Sequence, residues 1–366
     1  MKNHLLLFFL LSLFLLSCST SPVSKPTEVP LDSSKQSPIE VVDALGRKVV
    51  LLAAPTRIVM NGVGLIMTQD AAYMFPEAAQ RIAAMGMANQ GHGNFVSLLD
   101  ADYDRKAIFQ IEAGAEQMAA AKPDLVILKS YLAGKVGKAL EQLDLPVLYL
   151  EFETPENYSR DLAILGKVFQ NEKRAQELID YYSSKSDAIQ KTTSAIADKP
   201  RVLLLYYSEK NGVAAFNVPP QTWIQTELVR RAGGIPVWES ANTGQGWKVV
   251  TLEQVAAWDA DQIFIISYLK NSAEIAAALK TNTEWQALRA VREGNLAGFP
   301  ADFYSWDQSD ARWILGLSWL AARLHPISFP VFDMLQEAQE FFRVLYRIDE
   351  QMFEAKIHPA LRGDLN

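Results

Sequence analysis

The chain is short of the side chains that build metal centres and covalent cross-links. Its 366 residues include one cysteine, Cys18, and four widely spaced histidines, His4, His92, His325 and His358. One cysteine excludes a disulfide framework, a cysteine-based zinc site and a cluster held by several thiolates. A site with several histidines would have to be assembled from distant parts of the chain. We therefore predict that the protein holds no cofactor and no metal ion of its own.

Basic blocks and hydrolase motifs are missing as well. The chain has 35 lysine and arginine residues against 42 aspartate and glutamate residues, a formal net charge of −7, and no basic cluster stands out. Nucleic acid is therefore not an expected partner. The sequence contains neither a G-x-S-x-G nor an H-E-x-x-H motif, which would position a nucleophile or a zinc ion. We predict that the protein is not an enzyme.

Only one stretch is long and apolar, and it opens the chain. Residues 5–16 form an apolar run of about a dozen residues, which is too short for a transmembrane helix and typical of a signal-peptide core. The run leads into LLSC, which resembles the lipobox of bacterial lipoproteins, whose signal is removed before a lipid-modified cysteine. The resemblance implies a signal peptide over residues 1–17 and a lipid anchor at Cys18; an ordinary signal peptide with an incidental cysteine is the alternative.

The location of the mature protein follows from that signal. We predict an extracytoplasmic protein that is lipid-anchored to the cell membrane, in the periplasm or on the outer surface. Residues 18–37 are rich in serine, proline, threonine and lysine, cannot bury much surface, and are predicted to form a flexible tether.

Two regions of alternating strands and helices follow, separated by a long helical pattern. Residues 38–153 and 200–350 each alternate short apolar strands with helices, which predicts an α/β lobe with a parallel sheet. Residues 154–199 have apolar residues at helical spacing and no glycine or proline after Lys167, so they predict one long spine helix. Two helices with a bend near Gly166 are the alternative. The predicted fold is therefore two Rossmann-like lobes joined by a spine helix, with a ligand cleft between the lobes.

A short pattern occurs once in each region. Glu116 is followed by Gln117 and, seven residues later, by an aspartate that opens an apolar strand; Glu253 is followed by Gln254 in the same way. Each glutamate lies near a predicted helix start, where a carboxylate also favours the helix dipole. We interpret the repetition as a pseudo-duplication of one lobe.

Taken in order, these motifs resemble those of class III (cluster A) substrate-binding proteins of ABC importers, the family that handles ferric siderophores, haem and vitamin B12. The likeness covers residues 38–346 and is carried by DALGR at 43–47, PTRIV at 55–59, KPDLV at 122–126, PV at 146–147, AGG at 232–234, and residues 247–253 with the strand that follows. It implies a monomer with a permease and an ATPase as partners. It also implies that Glu116 and Glu253 dock on arginines of the permease.

Candidate ligand contacts follow from the position of strand ends. In open α/β sheets, ligands bind at the carboxyl ends of the strands. The residues selected by this rule are Asn61, Gly62, Asn89, His92 and Tyr131 in the first lobe, and Tyr206, Tyr207, Trp247, Tyr268, Tyr304, Trp306 and Arg312 in the second. The aromatic side chains suit a planar or bulky metal chelate. Arg312 could clamp a carboxylate or an oxyanion, or form a salt bridge to Asp307 or Asp310.

The nature of the ligand stays open at this point. The aromatic residues favour an iron chelate, a ferric siderophore or a related metal complex. The segment at residues 306–320 resembles a subgroup of the family that also binds molybdate-type oxyanions and simple metal chelates. Molybdate or tungstate, cobalamin and haem are therefore alternatives, as is a surface receptor without transport. An enzyme on the same two-lobed scaffold, such as a nitrogenase-type metalloprotein, would need more cysteines.

Overall fold

The computed structural model describes residues 38–365, so the predicted signal peptide, lipidated Cys18 and tether lie outside the described residues. The strands are β1 Ile39–Val42, β2 Lys48–Leu51, β3 Ile58–Met60, β4 Ile82–Gly86, β5 Ala107–Phe109, β6 Leu125–Lys129, β7 Val147–Leu150, β8 Arg201–Lys210, β9 Val213–Val218, β10 Ile235–Pro236, β11 Lys248–Val250, β12 Gln262–Ile266 and β13 Leu296–Gly298. The helices are α1 Leu65–Tyr73, α2 Ala78–Arg81, α3 Ala115–Ala120, α4 Lys138–Glu141, α5 Pro155–Phe169, α6 Glu172–Ser194, α7 Ile224–Arg231, α8 Leu252–Trp258, α9 Ser272–Thr281, α10 Arg289–Arg292, α11 Trp313–Leu324, α12 Met334–Tyr346 and α13 Glu350–Met352.

The first lobe is built on a parallel sheet, as predicted. Its five strands are ordered β5-β4-β3-β6-β7, and each neighbouring pair is parallel. Strand β6 is buried at every position, because apolar clusters cover both faces of the sheet. The carboxyl ends of β3 and β6, which are neighbours, therefore present their following loops at the same edge.

The second lobe has a mixed sheet, which differs from the parallel sheet predicted. The order is β11-β9-β8-β12-β13, with β10 also paired to β8. Strands β8, β10, β12 and β13 are parallel, whereas β9 and β11 run antiparallel to their neighbours. The cause is a tight turn after β8, where Asn211 and Gly212 both have positive φ, 53° and 78°. An Asn-Gly pair between two strands favours this hairpin.

The predicted spine is two helices, so the single helix over residues 154–199 is wrong. Helix α5 ends before Gln170, which adopts a left-handed φ of 53°, and Asn171 caps α6 by accepting a hydrogen bond from the backbone N–H of Arg174 at 3.1 Å. At the corner the helices touch closely, since a Cβ on Gly166 would lie 2.5 Å from the Cβ of Ala175. The two-helix alternative holds, with the break four residues beyond Gly166.

Helix α6 alone connects the lobes. It has 23 residues, which corresponds to about 34 Å at 1.5 Å per residue. Near its start, Arg174 donates to the carbonyl oxygen of Met74 in the first lobe at 3.1 Å. Near its end, the hydroxyl of Thr193 donates to the carbonyl oxygen of Arg231 in the second lobe at 2.8 Å.

The two lobes share one apolar core. A single cluster of buried side chains includes residues from both sheets, and Phe95 of the first lobe packs its ring against Phe342 and Tyr346 of helix α12 at 5.6 and 4.8 Å. Packing continues past residue 350, the predicted end of the second lobe, because Ile357 is fully buried and Arg362 pairs with Ala301 through the backbone. Such an interface favours a fairly rigid arrangement of the lobes.

Candidate ligand-binding cleft

An irregular segment after β13 forms the floor between the lobes. We call residues 302–312 the crossing segment; each of its residues is buried. It reaches the first lobe through Tyr304, whose hydroxyl accepts the backbone N–H of Phe95 at 3.2 Å, and through Gln308, whose side-chain oxygen accepts the amide of Gln90 at 2.8 Å. The floor of the cleft is therefore made by the second lobe and bonded to the first.

Arg312 is the electrostatic centre of the crossing segment and not an exposed clamp. Its side chain is fully buried, and its Nε donates to both carboxylate oxygens of Asp302 at 2.6 and 2.8 Å. Its Nη1 donates to Asp70 at 2.5 Å and to Asp310 at 3.2 Å. Asp70 belongs to α1 of the first lobe, so this network ties the lobes together. The salt-bridge alternative, to Asp310, accounts for Arg312 better than direct ligand contact.

The Asp70 carboxyl gives the network a pH dependence. Burial raises its pKa from an ordinary value of 3.8 to about 6, although Arg312 opposes the shift. The folded protein therefore holds more protons than the unfolded chain between about pH 4 and 6, and this group favours folding most below that window.

We expect the unfolding free energy of the wild-type protein, minus that of Asp70→Asn, to decrease as the pH rises from 4 to 6. Urea unfolding of both proteins at pH 4, 5, 6 and 7 would measure it. A difference that increases with pH would mean that Arg312 lowers the pKa of Asp70 by more than burial raises it.

Tyr304 and Trp306 are also interior residues, which corrects their prediction as ligand contacts. Both side chains are fully buried. The indole N–H of Trp306 donates to Asp302 at 2.8 Å, and the ring of Tyr304 lies 5.0 Å from the guanidinium carbon of Arg312. These two residues and Arg312 support the floor of the cleft from within.

The first lobe contributes a wall at the ends of β3 and β6, where Asn61, Gly62 and Tyr131 were predicted. Asn61 is buried, its amide donates to the carbonyl oxygen of Gln110 at 3.2 Å, and its Oδ1 has no hydrogen-bond partner. The hydroxyl of Tyr131 donates to the carbonyl oxygen of Val63 at 2.7 Å, and its side chain is half exposed. Gly62 has a φ of 102°, which favours glycine at this turn.

The predicted residues Asn89 and His92 lie on an exposed loop that touches the second lobe. The side chain of Asn89 shapes the loop by accepting the backbone N–H groups of Gly91 and Gly93 at 2.7 and 3.1 Å. A Cβ on Gly91 would lie 3.2 Å from the carbonyl oxygen of Leu269, so the loop meets the rim next to Tyr268. Partial burial and the nearby charge of Arg362 lower the pKa of His92, which favours a neutral imidazole.

Four aromatic side chains of the second lobe pack together, two of them at β8 and after β12 and two just before α7 and β11. We call Tyr206, Trp223, Trp247 and Tyr268 the aromatic patch; all four are partly exposed. The rings of Tyr206 and Tyr268 stack at 4.6 Å, and Trp247 packs against Tyr206 at 4.8 Å and edge-on against Trp223 at 5.6 Å. The structure therefore brings the predicted residues Trp247 and Tyr268 together.

Tyr207, by contrast, lies outside the aromatic patch. Consecutive strand residues point to opposite faces, so its ring packs near Phe216 at 5.8 Å and its hydroxyl donates to Glu209 at 2.7 Å. Sequence reasoning missed Trp223, since it precedes a helix and not a strand. It also missed the acceptor that lies behind the patch.

That acceptor is the carboxylate of Asp307. It is fully buried and accepts hydrogen bonds from the hydroxyl of Ser305 at 2.5 Å, the amide of Gln225 at 3.1 Å and the hydroxyl of Tyr268 at 3.2 Å. Burial raises its pKa, and the hydrogen bonds oppose the rise. The charge of Asp307 in turn raises the pKa of Tyr206.

Other parts of the described chain offer less to a ligand. A groove of about 730 Å³ lies at the amino ends of β12 and β13, lined by Gln262 and Asn295 together with Phe329 and Phe332. None of the predicted site residues lines it. Within residues 38–365, no group of three or more histidine, cysteine, aspartate or glutamate side chains is arranged to hold a metal ion.

The repeated pattern of the two lobes has the same geometry in both. Glu116 and Glu253 are exposed in the first turns of α3 and α8, and the side chain of the following glutamine turns back to the helix start in each, with its Oε1 accepting the backbone N–H of the N-cap residue at 3.0 Å. Capping by glutamine leaves both glutamates turned to solvent.

The carboxyl ends of α3 and α8 are also held by equivalent hydrogen bonds. Arg57 donates to the carbonyl oxygen of Ala121 at 2.7 Å, and Arg201 donates to that of Trp258 at 2.7 Å. The aspartate that opens the next strand accepts the backbone N–H of the same arginine in each lobe. Two glutamates on equivalent helices are thus presented by equivalent scaffolds.

Two α/β lobes joined by one helix and bonded to each other through the buried crossing segment have the architecture of a solute-binding protein. The family model described as periplasmic binding protein matches residues 83–303 of the chain. The chain belongs to this family, the class III periplasmic solute-binding proteins of ABC importers.

Individual relatives are distant in sequence and close in fold. The molybdate-binding protein MolA of Haemophilus influenzae is 19% identical over 253 residues, which cover 63% of this chain and 69% of that protein. The molybdate-bound structure of MolA has a TM-score of 0.66 at 17% identity and covers 85% of this chain and 98% of its own. A periplasmic solute-binding protein from Veillonella parvula is 20% identical with a TM-score of 0.69, over 87% of this chain and 96% of that chain.

A third structure extends the range of ligands seen on this fold. Helicobacter pylori CeuE, solved as a nickel–histidine complex, is 14% identical with a TM-score of 0.69 and covers 87% of this chain and 98% of its own. Family membership implies an extracytoplasmic protein with a small-molecule ligand and a permease–ATPase partner. No helix among residues 38–365 is both long and apolar enough to cross a bilayer.

Proposed function

We propose that this protein captures a metal chelate, a ferric siderophore or a related complex, and delivers it to the permease of its importer. The observation that carries the proposal is the partly exposed aromatic patch, in which the rings of Trp247 and Tyr268 lie 6.3 Å apart. Aromatic faces supply rigid apolar contact area for a bulky complex, and the polar wall supplies orientation. Asn61, Gly62, Asn89, His92, Tyr131, Trp247 and Tyr268 remain our candidate contacts, whereas Tyr207 lies outside the patch.

An oxyanion such as molybdate is the second candidate, because MolA is among the similar proteins. The residue expected to clamp an oxyanion was Arg312. Its guanidinium already bonds three carboxylates and is fully buried, so its charge is balanced before any oxyanion binds. Because Arg312 is not an exposed clamp, the structure favours a metal chelate over an oxyanion as the ligand.

Calorimetric titration with ferric siderophores, haem, cobalamin and molybdate tests the proposal. We expect one metal chelate to bind with micromolar or tighter affinity and molybdate to give no heat of binding. Saturation by molybdate alone would transfer the assignment to the oxyanion. Failure of every compound to bind would refute the chelate assignment and favour a receptor for another ligand.

Lipidation at Cys18 is the second part of the proposal, and it follows from the LLSC signal alone. A mature protein tethered by residues 18–37 would stay close to its permease. Mass spectrometry of the protein purified from membranes should find a diacylated or triacylated N-terminal Cys18. Recovery of an unmodified chain in the soluble fraction would refute the anchor.

Glu116 and Glu253 are proposed to dock on the permease, one from each lobe. Two separated charges fix orientation and steer encounter more than they add affinity. We expect Glu116→Lys with Glu253→Lys to reduce ligand-stimulated ATPase activity of the reconstituted importer at least tenfold, with ligand affinity unchanged.

The matched control for that pair is Glu274→Lys, which also alters an exposed glutamate in the first turn of a helix. It should leave ATPase stimulation intact. Full stimulation by the double variant would show that docking uses other residues.

A further inference from the structure

The carboxylate of Asp307 lies behind the aromatic patch and forms no ion pair within residues 38–365. Among the described residues, the hydrogen-bond donors to Asp307 are the neutral groups of Ser305, Gln225 and Tyr268, and Asp307 forms none of the ion pairs found there. A buried carboxylate without a cationic partner is costly. The three hydrogen bonds reduce this cost, and a positive group close to Asp307 would reduce it further.

The buried cations around the cleft are committed elsewhere. Lys129, at the end of β6, pairs with Glu153 at 2.7 Å, and Arg312 bonds the three carboxylates of the crossing segment and α1. The exposed Lys270 pairs with Glu209 at 2.5 Å beside Tyr207, and Lys248, next to Trp247, donates to the carbonyl oxygen of Ala241 at 2.7 Å. Among the described residues, Asp307 is the buried charged group that is hydrogen-bonded to a side chain of the patch.

Arg362 is the remaining buried cation near the cleft. Its Nη2 donates to the carbonyl oxygen of Gln90 at 2.9 Å, and its charge acts on His92, whose pKa it helps to lower. Burial is the main cause that raises the pKa values of Tyr206 and Tyr268, and the charge of Asp307 adds to it. The electrostatic character of the two rims therefore differs, and the aromatic rim is the negative one.

Buried oxygen atoms without hydrogen-bond donors among the described residues add to the negative character of the aromatic rim. Among residues 38–365, the buried Oε1 of Gln225, which donates to Asp307, and the buried Oδ1 of Asn61 have no hydrogen-bond partner. These acceptors and the carboxylate of Asp307 disfavour a further negative charge nearby.

We propose, on the basis of the proposed function, that the group which binds against the aromatic patch is a cation: an ammonium-bearing or otherwise positively charged metal complex. Electron-rich aromatic faces attract cations. The hydrogen bond from Tyr268 to Asp307 strengthens the attraction, since it polarises the phenol towards negative charge. The same field disfavours molybdate and anionic chelates at this rim.

A matched pair of chelates isolates the charge. Ferrioxamine B carries a free ammonium group, and its N-acetyl derivative has the same iron chelate without that charge. Tetraethylammonium serves as a cation without metal, and molybdate as the anion. Tryptophan fluorescence of the purified protein reports on all four, because Trp223 and Trp247 lie in the patch.

We expect saturable quenching or a spectral shift with tetraethylammonium, none with molybdate, and binding of ferrioxamine B that is about tenfold tighter than that of its acetylated form. Asp307→Asn should weaken tetraethylammonium binding about tenfold. Glu209→Gln, which removes a carboxylate beside Tyr207 outside the patch, should leave it unchanged.

Asp307→Asn could unfold, since the residue is buried, so Tyr268→Phe provides a second variant. It keeps the ring and removes the hydroxyl that bonds Asp307, and it should weaken tetraethylammonium binding by about threefold while the melting temperature stays near that of wild type. Equal affinity for tetraethylammonium in wild type and in a folded variant would overturn the inference. So would saturation by molybdate together with no response to tetraethylammonium.

The outcomes separate this inference from the proposed function. Charge-selective binding of tetraethylammonium with no binding of any metal chelate would sustain the inference and refute the chelate assignment. Tight binding of an anionic chelate with no response to cations would sustain the chelate assignment and refute the inference.

Discussion

Replacing Arg312 with methionine is expected to lower the unfolding free energy by about 3–5 kcal/mol. The substitution keeps much of the side-chain volume but leaves the carboxyl groups of Asp70, Asp302 and Asp310 buried without their cation. The substitution weakens the contact between the lobes, because Asp70 belongs to the first lobe whereas Asp302 and Asp310 belong to the second. Denaturant unfolding at pH 7 measures the change.

The pH dependence of Arg312→Met distinguishes this mechanism from simple loss of packing. Without the guanidinium the three carboxyl groups must be protonated to stay buried, so the variant should regain stability relative to wild type as the pH falls from 7 to 4. Arg105→Gln is the matched control, since Arg105 forms an exposed ion pair with Asp102 and such pairs contribute little. A stability loss for Arg312→Met no larger than that of the control would refute the network.

Replacing Trp247 with alanine is expected to weaken binding of the cognate chelate by about 10- to 100-fold. The substitution removes the ring that packs against both Tyr206 and Trp223, so it takes away a contact surface and the support of its neighbours. Because Trp247 is partly exposed and lies outside the core, the melting temperature should change far less than the affinity. Calorimetric titration is the appropriate measurement, since it does not rely on the tryptophan that is removed.

Trp258→Ala provides the control for Trp247→Ala. Trp258 ends helix α8, and its carbonyl oxygen accepts a hydrogen bond from Arg201 at the amino end of β8, the edge opposite the patch. It should leave the affinity within about twofold of wild type. Unchanged binding by Trp247→Ala, or an equal loss in both variants, would show that the ligand does not contact the patch.

The walls of the cleft were predictable from the sequence because they depend on topology. A parallel strand that ends in Asn61-Gly62 has one edge at which a ligand can bind, and Tyr268, which follows β12, obeys the same rule in the second lobe, whereas Trp247 comes just before β11. The two cap patterns at Glu116 and Glu253 were readable for a similar reason: a capping box is a local feature.

The crossing segment was not predictable because its roles depend on distant partners. A strand-end rule places Tyr304, Trp306 and Arg312 near the cleft but does not tell which way a side chain points. Burial of Arg312 depends on Asp70, which lies 242 positions earlier in the chain. The same holds for Asp307, which acquires its significance only when Tyr268 and Gln225 are folded next to it.

The sequence contains a signal for the break between α5 and α6, but the helical pattern on both sides of it favoured one continuous helix. Asn171 followed by Glu172 is a good helix start, and it was missed because the surrounding residues continue a helical pattern. The close contact between Gly166 and Ala175 favours two helices that meet at a corner over one continuous helix. Asn211-Gly212 was a comparable signal for the antiparallel hairpin of the second lobe.

The most direct test of the account is to locate the metal. Crystals of the protein with its saturating chelate, measured at the absorption edge of the metal, would give its position by anomalous scattering. We predict the metal between the wall of Asn61 and Tyr131 and the aromatic patch of Trp247 and Tyr268. A metal in the groove lined by Phe329 and Phe332, at the opposite edge of the second sheet, would contradict the assignment of the cleft.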